Sequence, residues 1–303
     1  MLVGMGMAPE GTEQNPVLYE LGADMFWRDE APDLGEWLES YSRRRYGETT
    51  QEMSEAWEIL ERTVYSRPRD GGSPPTPVTN PPSLKPYEPR YYNPLELARV
   101  WELMQRASGR LGSRETFRYD LVDVAAQVLS NLSMRLHDRV IEAYVARDRE
   151  GLRAAAAAFP ELLEDMDAIL ATQRITLLGR WIADARSWGR TPSEKALLEW
   201  NARNQVTLWG NRESMLRDYG RKEWAGLIGE FYLGRWERFH REIDACLEEG
   251  RDHDNDAFQT ELRQWEEEWT HRTNTFAHAP NGDPVSISAR LLEKYRPLIA
   301  GIY

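Results

Sequence analysis

Two segments of the chain combine residue types that could act on a ligand, and the first is centred on Glu10. This glutamate lies between Pro9 and Gly11, directly after the short apolar segment 1–7. In barrel folds, the carboxyl ends of the strands commonly carry the catalytic carboxylates. A lone glutamate in a loop is ordinarily just solvated, and a catalytic carboxylate is the alternative that this position offers.

The second segment, residues 201–219, mixes polar side chains with two aromatic rings. Trp209 is followed by a glycine, and Met215 and Tyr219 come shortly after it. Sugars offer a flat C–H face that stacks on aromatic rings, and hydroxyl groups that bind amide and carboxylate side chains. The pattern indicates a carbohydrate platform around Trp209. The alternative is that Trp209 packs in the core where a helix ends.

Sequence spacing gives no support for a metal or nucleotide site. None of the five histidines stands at a metal-ligand spacing from another histidine or from the single cysteine, Cys246. Asp252, Asp254 and Asp256 match the start of a calcium loop, but Ala257 stands where that loop needs glycine, and an arginine replaces its last acidic ligand. No glycine-rich phosphate loop follows a strand. The sequence predicts no metal ion and no cofactor.

The composition excludes several classes of partner. The 303 residues include 38 basic and 50 acidic side chains, which gives a formal net charge of −12. Because phosphate recognition needs clustered Lys and Arg, this surplus of acid argues against binding to nucleic acid or to an anionic membrane. No apolar run of about 18 residues is present to cross a bilayer. The 12 Trp and 13 Tyr residues exceed what a plain helical scaffold needs. Aromatic rings fill cores and also form flat platforms for ligands, so both interpretations of this excess stay open.

Helix-start signals recur along the chain. Asn, Asp or Thr caps stand at 15, 33, 49, 93 and 191, each with a proline or an acidic residue in the turn that follows. Prolines crowd segment 66–92, which predicts an extended connection over the surface, and Pro160 predicts a break between two helices. Apolar spacing predicts one helix from Leu216 to Glu249, and the acidic run 266–268 is predicted to face solvent. The predicted fold is an all-α bundle of roughly ten helices.

The N-terminal segment predicts something different from the rest. Residues 1–7 are apolar and uncharged, which is typical of a short buried strand, although a disordered apolar terminus is the alternative. No later segment predicts a strand to pair with it. We therefore expect a fragment of a larger protein, with residues 1–27 as the end of an α/β barrel and residues 28–303 as a helical domain.

At these residues the sequence resembles glycoside hydrolase family 89, the alpha-N-acetylglucosaminidases. The matching stretches run in family order across nearly the whole chain and cover the end of the family's catalytic barrel and its all-helical C-terminal domain. They are Gly4–Gly11, Arg43–Gly47, Phe117–Leu121, Asn201–Gly210, and Asp218 and Tyr219 with Trp224 and Gly226.

The resemblance implies a retaining enzyme that removes terminal α-linked N-acetylglucosamine from a glycan. Such enzymes place two carboxyl groups about 5–5.5 Å apart. Glu10 matches the family's nucleophile, whereas the acid/base residue belongs to an earlier part of the barrel without a counterpart here. Trp209, Met215 and Tyr219 match positions where the helical domain closes over the sugar, although one extra residue in this loop weakens the match at Met215. The barrel is the implied partner, and the family's full-length members are expected in a secreted or lysosome-like compartment.

Two hypotheses remain open at this point. The chain is either the C-terminal part of a glycosidase, inactive by itself, or a non-catalytic helical module that binds carbohydrate or another protein. The reading frame upstream of Met1 would distinguish them, because only the first hypothesis requires an encoded barrel there.

Overall fold

The computed structural model describes residues 4–9, 15–66 and 75–301, and within these residues the fold is all-helical, as the sequence predicts. One isolated parallel bridge, Leu177–Ala225, is its only β-type pairing in the described ranges. No helix among them is long and apolar enough to cross a membrane. The α-helices described are α1 Pro16–Met25, α2 Leu34–Tyr46, α3 Gln51–Arg62, α4 Pro94–Leu111, α5 Glu115–Val145, α6 Arg149–Leu170, α7 Leu178–Ser187, α8 Pro192–Gln205, α9 Leu233–Glu249, α10 Asn255–Thr270 and α11 Pro284–Ala300.

Four of the five predicted caps are confirmed, and at α3 the cap is Thr50 rather than Thr49. The Asn15 side chain accepts a hydrogen bond from the Val17 N–H, and Asp33 and Asn93 cap α2 and α4 in the same way. At α8 the full capping box forms, since Thr191 and the Glu194 side chain each satisfy the other's backbone N–H. These contacts satisfy the amides that a helix start leaves unpaired.

The core lies around α5 and α6, which pack along each other and against α4, α9 and α11. Trp236 and Trp224 are buried, and Trp181 is half-buried with its indole N–H donated to the Ala202 carbonyl at 2.9 Å. These three tryptophans therefore serve packing. Most of the large tryptophan content is structural in this sense.

Two helix predictions are wrong. Pro160 does not break the chain, because α6 continues through it from Arg149 to Leu170. The buried apolar side chains after the proline, among them Leu163 and Met166, hold the helix against its neighbours despite the lost hydrogen bond. Segment 216–226 is not helical, and α9 begins only at Leu233, after a π-helical turn, Leu227–Tyr232.

Positive φ angles explain why no helix forms over 216–226. Asp218, Arg221 and Gly226 have φ of 60°, 41° and 87°, which a right-handed helix cannot accommodate. The Asp167 carboxylate then accepts the backbone N–H of Gly226 at 2.6 Å and of Gly229 at 2.7 Å, which fixes the start of the π-helical turn.

The proline-rich connection packs more deeply than predicted. Residues 76–79 are buried, and the Pro77 carbonyl accepts the Trp236 indole N–H at 3.0 Å. Residues 76–79 of the connection are therefore part of the core, whereas residues 85, 86, 88 and 89 are exposed, as predicted for a surface connection.

The N-terminal strand prediction is not met over residues 4–9. This stretch is exposed and has no regular secondary structure. A strand needs a neighbour to pair its backbone groups, and no strand lies elsewhere in the described ranges. Residues 1–3 lie outside the described residues.

Candidate functional site

The candidate site is the loop between α8 and the π-helical turn, and it begins with a tight reversal at Trp209. The Asn204 carbonyl accepts the N–H of Trp209 at 2.8 Å, and the Asn204 amide donates to the Gly210 carbonyl. Trp209 has φ of 54°, a left-handed conformation that a tryptophan adopts only when its surroundings hold it there. The chain therefore turns sharply after α8 ends at Gln205, and the Trp209 indole lies on this turn.

Trp209 and Tyr219 come together across this loop. Their ring centroids are 5.5 Å apart with planes inclined at 49°, and the side chains are 37% and 50% exposed. Two partly exposed aromatic rings side by side offer contact area to a ligand at low conformational cost. Met215, which the resemblance placed at the same site, is 93% exposed. The alternative that Trp209 is a core residue is therefore wrong.

A buried network of ions anchors the far end of the loop. The Asp218 carboxylate accepts two hydrogen bonds from the Arg235 guanidinium, at 2.9 and 3.0 Å, and Arg235 also donates to Glu266 at 2.7 Å. Glu266 additionally accepts from Arg217. Glu266 is completely buried, so the prediction that the acidic run 266–268 lies on a solvated face is wrong at this residue.

The electrostatics of this network favour the charged state of its central arginine. Burial by itself lowers the pKa of Arg235, but the Asp218 and Glu266 carboxylates outweigh that effect and raise its pKa above the ordinary value. The Asp218 N–H also donates to the Thr207 carbonyl at 2.7 Å, which ties the loop's end to its beginning. The loop that carries Trp209 and Tyr219 is therefore held at both ends.

A cleft of about 560 Å³ lies on the α8 and α10 side of Trp209. The Trp200 and His271 rings stack in its wall, with centroids 5.8 Å apart. Asn201, Asn211 and Glu267 supply polar groups to the same cleft. An aromatic wall with amide and carboxylate groups suits the mixed surface of a sugar.

A second, narrower cleft of about 200 Å³ lies between α5 and segment 221–224. Glu223 lines it and accepts the Ser130 hydroxyl at 3.2 Å. Enclosure in the protein raises the pKa of Glu223 to about 7. Asp123 lines the same cleft and also the neighbouring one that Asn15 enters.

The predicted nucleophile, Glu10, lies outside the described residues. The nearest described residue that follows it is Asn15, whose amide donates to Asp120 at 3.1 Å and to Asp123 at 3.4 Å. Arg45 also donates to Asp120. Asn15 is thus fixed to α5, the helix that also lines the cleft beside segment 221–224.

The residues around Trp209 contain no cluster of metal ligands. Within the described ranges, one set of three donors lies close enough to share a metal ion, and it belongs to α9 and the turn that follows. The calcium-loop pattern instead serves structure, since Asp254 caps α10 and Asp252 pairs with Arg147.

Comparison with known proteins assigns the fold and its loop to a family. Residues 37–294 match the family described as the Alpha-N-acetylglucosaminidase (NAGLU) C-terminal domain. The chain belongs to this family. The assignment agrees with the resemblance seen in the sequence and with the helical architecture.

The similar proteins are longer than this chain. The alpha-N-acetylglucosaminidase of Homo sapiens is 33% identical over 300 residues, which are 98% of this chain and 40% of that protein. A family 89 glycoside hydrolase from Clostridium perfringens, solved with 2-acetamido-1,2-dideoxynojirmycin, is 27% identical with a TM-score of 0.84, and the match covers 93% of this chain and 34% of that one.

A further structure of the Clostridium perfringens enzyme carries two glutamate-to-glutamine substitutions and contains its substrate, GlcNAc-alpha-1,4-galactose. It is 27% identical with a TM-score of 0.85, covering 94% of this chain and 34% of that one. The chain therefore spans well under half the length of these relatives.

Sequence reasoning missed the residues that hold the loop. Arg235 and Glu266 lie on α9 and α10, far along the chain from Trp209, and no local pattern pairs them. An arginine at an apolar position of α9, beside Trp236, was the one available signal, because a buried arginine requires a buried acid.

Proposed function

We propose that this chain forms the helical part of a retaining exo-α-N-acetylglucosaminidase and supplies one wall of its sugar pocket. The observation that carries the proposal is the exposed pair Trp209 and Tyr219, held on a loop with both ends anchored. It is supported by membership in the alpha-N-acetylglucosaminidase C-terminal domain family and by the sugar complexes of the Clostridium perfringens relative.

In this proposal the two rings receive the terminal N-acetylglucosamine. The C–H face of the sugar packs on the indole of Trp209, and the inclined ring of Tyr219 bounds its edge. Met215, highly exposed on the same loop, covers the N-acetyl methyl group when the loop faces the rest of the enzyme. The anchored backbone keeps the rings in place before the sugar arrives, which lowers the entropic cost of binding.

Glu10 is the proposed nucleophile, and residues 1–27 are proposed to complete a catalytic barrel. A Glu10 carboxylate oxygen forms a bond to the anomeric carbon as the glycosidic C–O bond breaks, and the leaving oxygen takes a proton from a second carboxyl group. Water then opens the glycosyl-enzyme with retained configuration. The second carboxyl group comes from the part of the relatives that this chain does not match.

The first experiment is a hydrolysis assay of the 303-residue chain. With an aryl α-N-acetylglucosaminide, we expect no release of the aryl alcohol above the buffer rate, because the general acid is not supplied by the matched residues. The same chain with Glu10→Gln is the matched control. Turnover that disappears in Glu10→Gln would show that this chain is catalytically sufficient, which contradicts the proposal.

The second candidate function is a non-catalytic carbohydrate-binding module. The cleft with the stacked Trp200 and His271 rings favours it, since that cleft would hold a sugar without any carboxylate chemistry. A reading frame that continues upstream of Met1 and encodes a barrel would favour the enzyme. A promoter and start site directly before Met1 would favour the module.

A further inference from the structure

Three potential metal ligands meet where α9 ends. Glu242 and Cys246 are one helical turn apart on α9, and His253 follows the turn that leads into α10. One carboxylate oxygen, the thiol sulfur and one ring nitrogen of these residues all lie within 4.8 Å of one another. The sequence spacing predicts no such group, because the chain reversal after Gly250 is what brings His253 back to the helix.

Two of the three donor separations are close to those around a small tetrahedral ion, and the third lies within 4.8 Å. The Cys246 Sγ lies 3.4 Å from the Glu242 Oε1, and the His253 Nδ1 lies 3.9 Å from the same oxygen. Zinc bonds of about 2.3 Å to sulfur and about 2.0–2.1 Å to nitrogen and oxygen place neighbouring ligand atoms about 3.3–3.6 Å apart. Small side-chain rotations would close the remaining difference.

His253 is the second, independent observation. Its side chain is only 2% exposed, and neither ring nitrogen has a hydrogen-bond partner. Leaving a buried polar group unpaired costs about 1–3 kcal/mol. A metal ion bonded to Nδ1 would supply the partner that this nitrogen lacks.

A cation already touches two of the donors. The Arg251 Nη1 lies 2.7 Å from the Cys246 Sγ and 2.8 Å from the Glu242 Oε1. The side chain of Arg251 is 41% exposed and also contacts Glu249 at the surface, so it can leave without opening the core. The position therefore favours positive charge and has a route to solvent.

We propose that Glu242, Cys246 and His253 bind one Zn²⁺ ion, which replaces the Arg251 guanidinium. The carboxylate oxygen, the thiolate sulfur and the imidazole Nδ1 are its three protein ligands, and water takes the fourth position. The Cys246 thiol gives its proton to solvent when the zinc–sulfur bond forms. The ion would tie the end of α9 to the start of α10, and it is independent of the proposed glycosidase function.

Cobalt titration tests the proposal with the whole 303-residue chain. Cys246 is the sole cysteine of the sequence, so a thiolate-to-cobalt charge-transfer band reports on this site alone. We expect the band to saturate at one equivalent of Co²⁺ and to disappear when Zn²⁺ is added. A folded chain that shows no such band at one equivalent overturns the proposal.

Variants separate this site from adventitious binding. His253→Ala and Glu242→Gln should weaken zinc binding about a hundredfold or more, since even outer partners of metal ligands are worth about 10–100-fold. Arg251→Ala should bind more tightly, because the competing cation is gone. His278→Ala, at an exposed histidine outside the cluster, is the matched control and should bind as the original chain does.

Thermal unfolding distinguishes a variant that has lost its zinc ligand from one that fails to fold. Zn²⁺ should raise the melting temperature of the original chain and of His278→Ala, but not that of His253→Ala, as expected for an ion that binds only the folded state. Unchanged zinc affinity in folded His253→Ala would refute the assignment of this ligand.

Discussion

His240 makes the stability of this protein depend on pH in a way that can be calculated. Its ring is buried among Phe159, Trp236 and Phe239, and neither nitrogen has a hydrogen-bond partner. Burial, with a smaller contribution from His137, lowers the pKa of His240 from 6.5 to about 3. The folded state therefore holds this ring neutral where the unfolded chain would protonate it.

The sign follows from where the protons bind. Between pH of about 3 and 6.5 the unfolded chain binds one more proton at His240 than the folded protein does, so stability falls as the pH is lowered through this window. At pH 5 the pH is about 1.5 units below the pKa of the unfolded chain. Since each pH unit is worth about 1.4 kcal/mol, the free energy of unfolding falls by about 2 kcal/mol. Above a pH of about 6.5 the ring is neutral in both the folded and the unfolded state, so His240 no longer lowers the stability.

The perturbation that tests this is His240→Phe, which keeps an aromatic ring of similar shape and removes the titrating group. Urea denaturation at pH 7.5 and pH 5 gives the free energy of unfolding at each pH. The decrease between the two should be about 2 kcal/mol smaller in His240→Phe than in the original chain. Phe159→Leu, in the same cluster but without a titrating group, is the control and should lower stability equally at both pH values. An unchanged decrease in His240→Phe would refute the reasoning.

Three further changes test the elements that position the site. Asp218→Asn should lower the free energy of unfolding by about 3 kcal/mol, because it leaves Arg235 buried with one carboxylate fewer; urea denaturation measures this, and a loss under 1 kcal/mol would contradict the anchoring role. Gly226→Ala should lower the free energy of unfolding by at least about 1–2 kcal/mol, because φ is 87° and the added Cβ would lie 2.9 Å from the Phe276 ring. A variant as stable as the original chain would contradict this prediction. The raised pKa of Glu223, from 4.5 to about 7, means that the folded state binds the extra proton and that stability is lost as the pH rises through this window. Glu223→Gln should remove this loss of stability, which amounts to at most about 3 kcal/mol. Urea denaturation between pH 4.5 and 8 measures it, and a variant whose stability changes with pH as that of the original chain does would contradict the prediction.

Local chemistry made the helix starts predictable. A cap such as Asn93 or Thr191 acts on amides two or three residues away, so the sequence contains the whole interaction. For Trp209 the sequence offered two interpretations, a ligand platform and a core residue, and the exposure of the side chain in the fold distinguishes them. Family resemblance, rather than any local pattern, supplied the roles of Met215 and Tyr219.

What the sequence did not reveal depends on distant contacts. Pro160 stays inside α6 because packing outweighs a local helix breaker, and Glu266 is buried because Arg235 on another helix pairs with it. The helix predicted from Leu216 fails for the same reason, since Asp218 is drawn into that ion network with a left-handed backbone. No window of sequence short enough to read as a pattern contains both partners of these interactions.

Contact between N-acetylglucosamine and Trp209 is the central claim, and saturation-transfer difference NMR tests it most directly. With the 303-residue chain and free N-acetylglucosamine, we expect transfer to the ring protons of the sugar. The transfer should persist in Trp188→Ala, where an exposed tryptophan outside the loop is removed, and be lost in Trp209→Ala. Equal transfer from Trp209→Ala and the original chain, or no transfer from the original chain, would contradict the account.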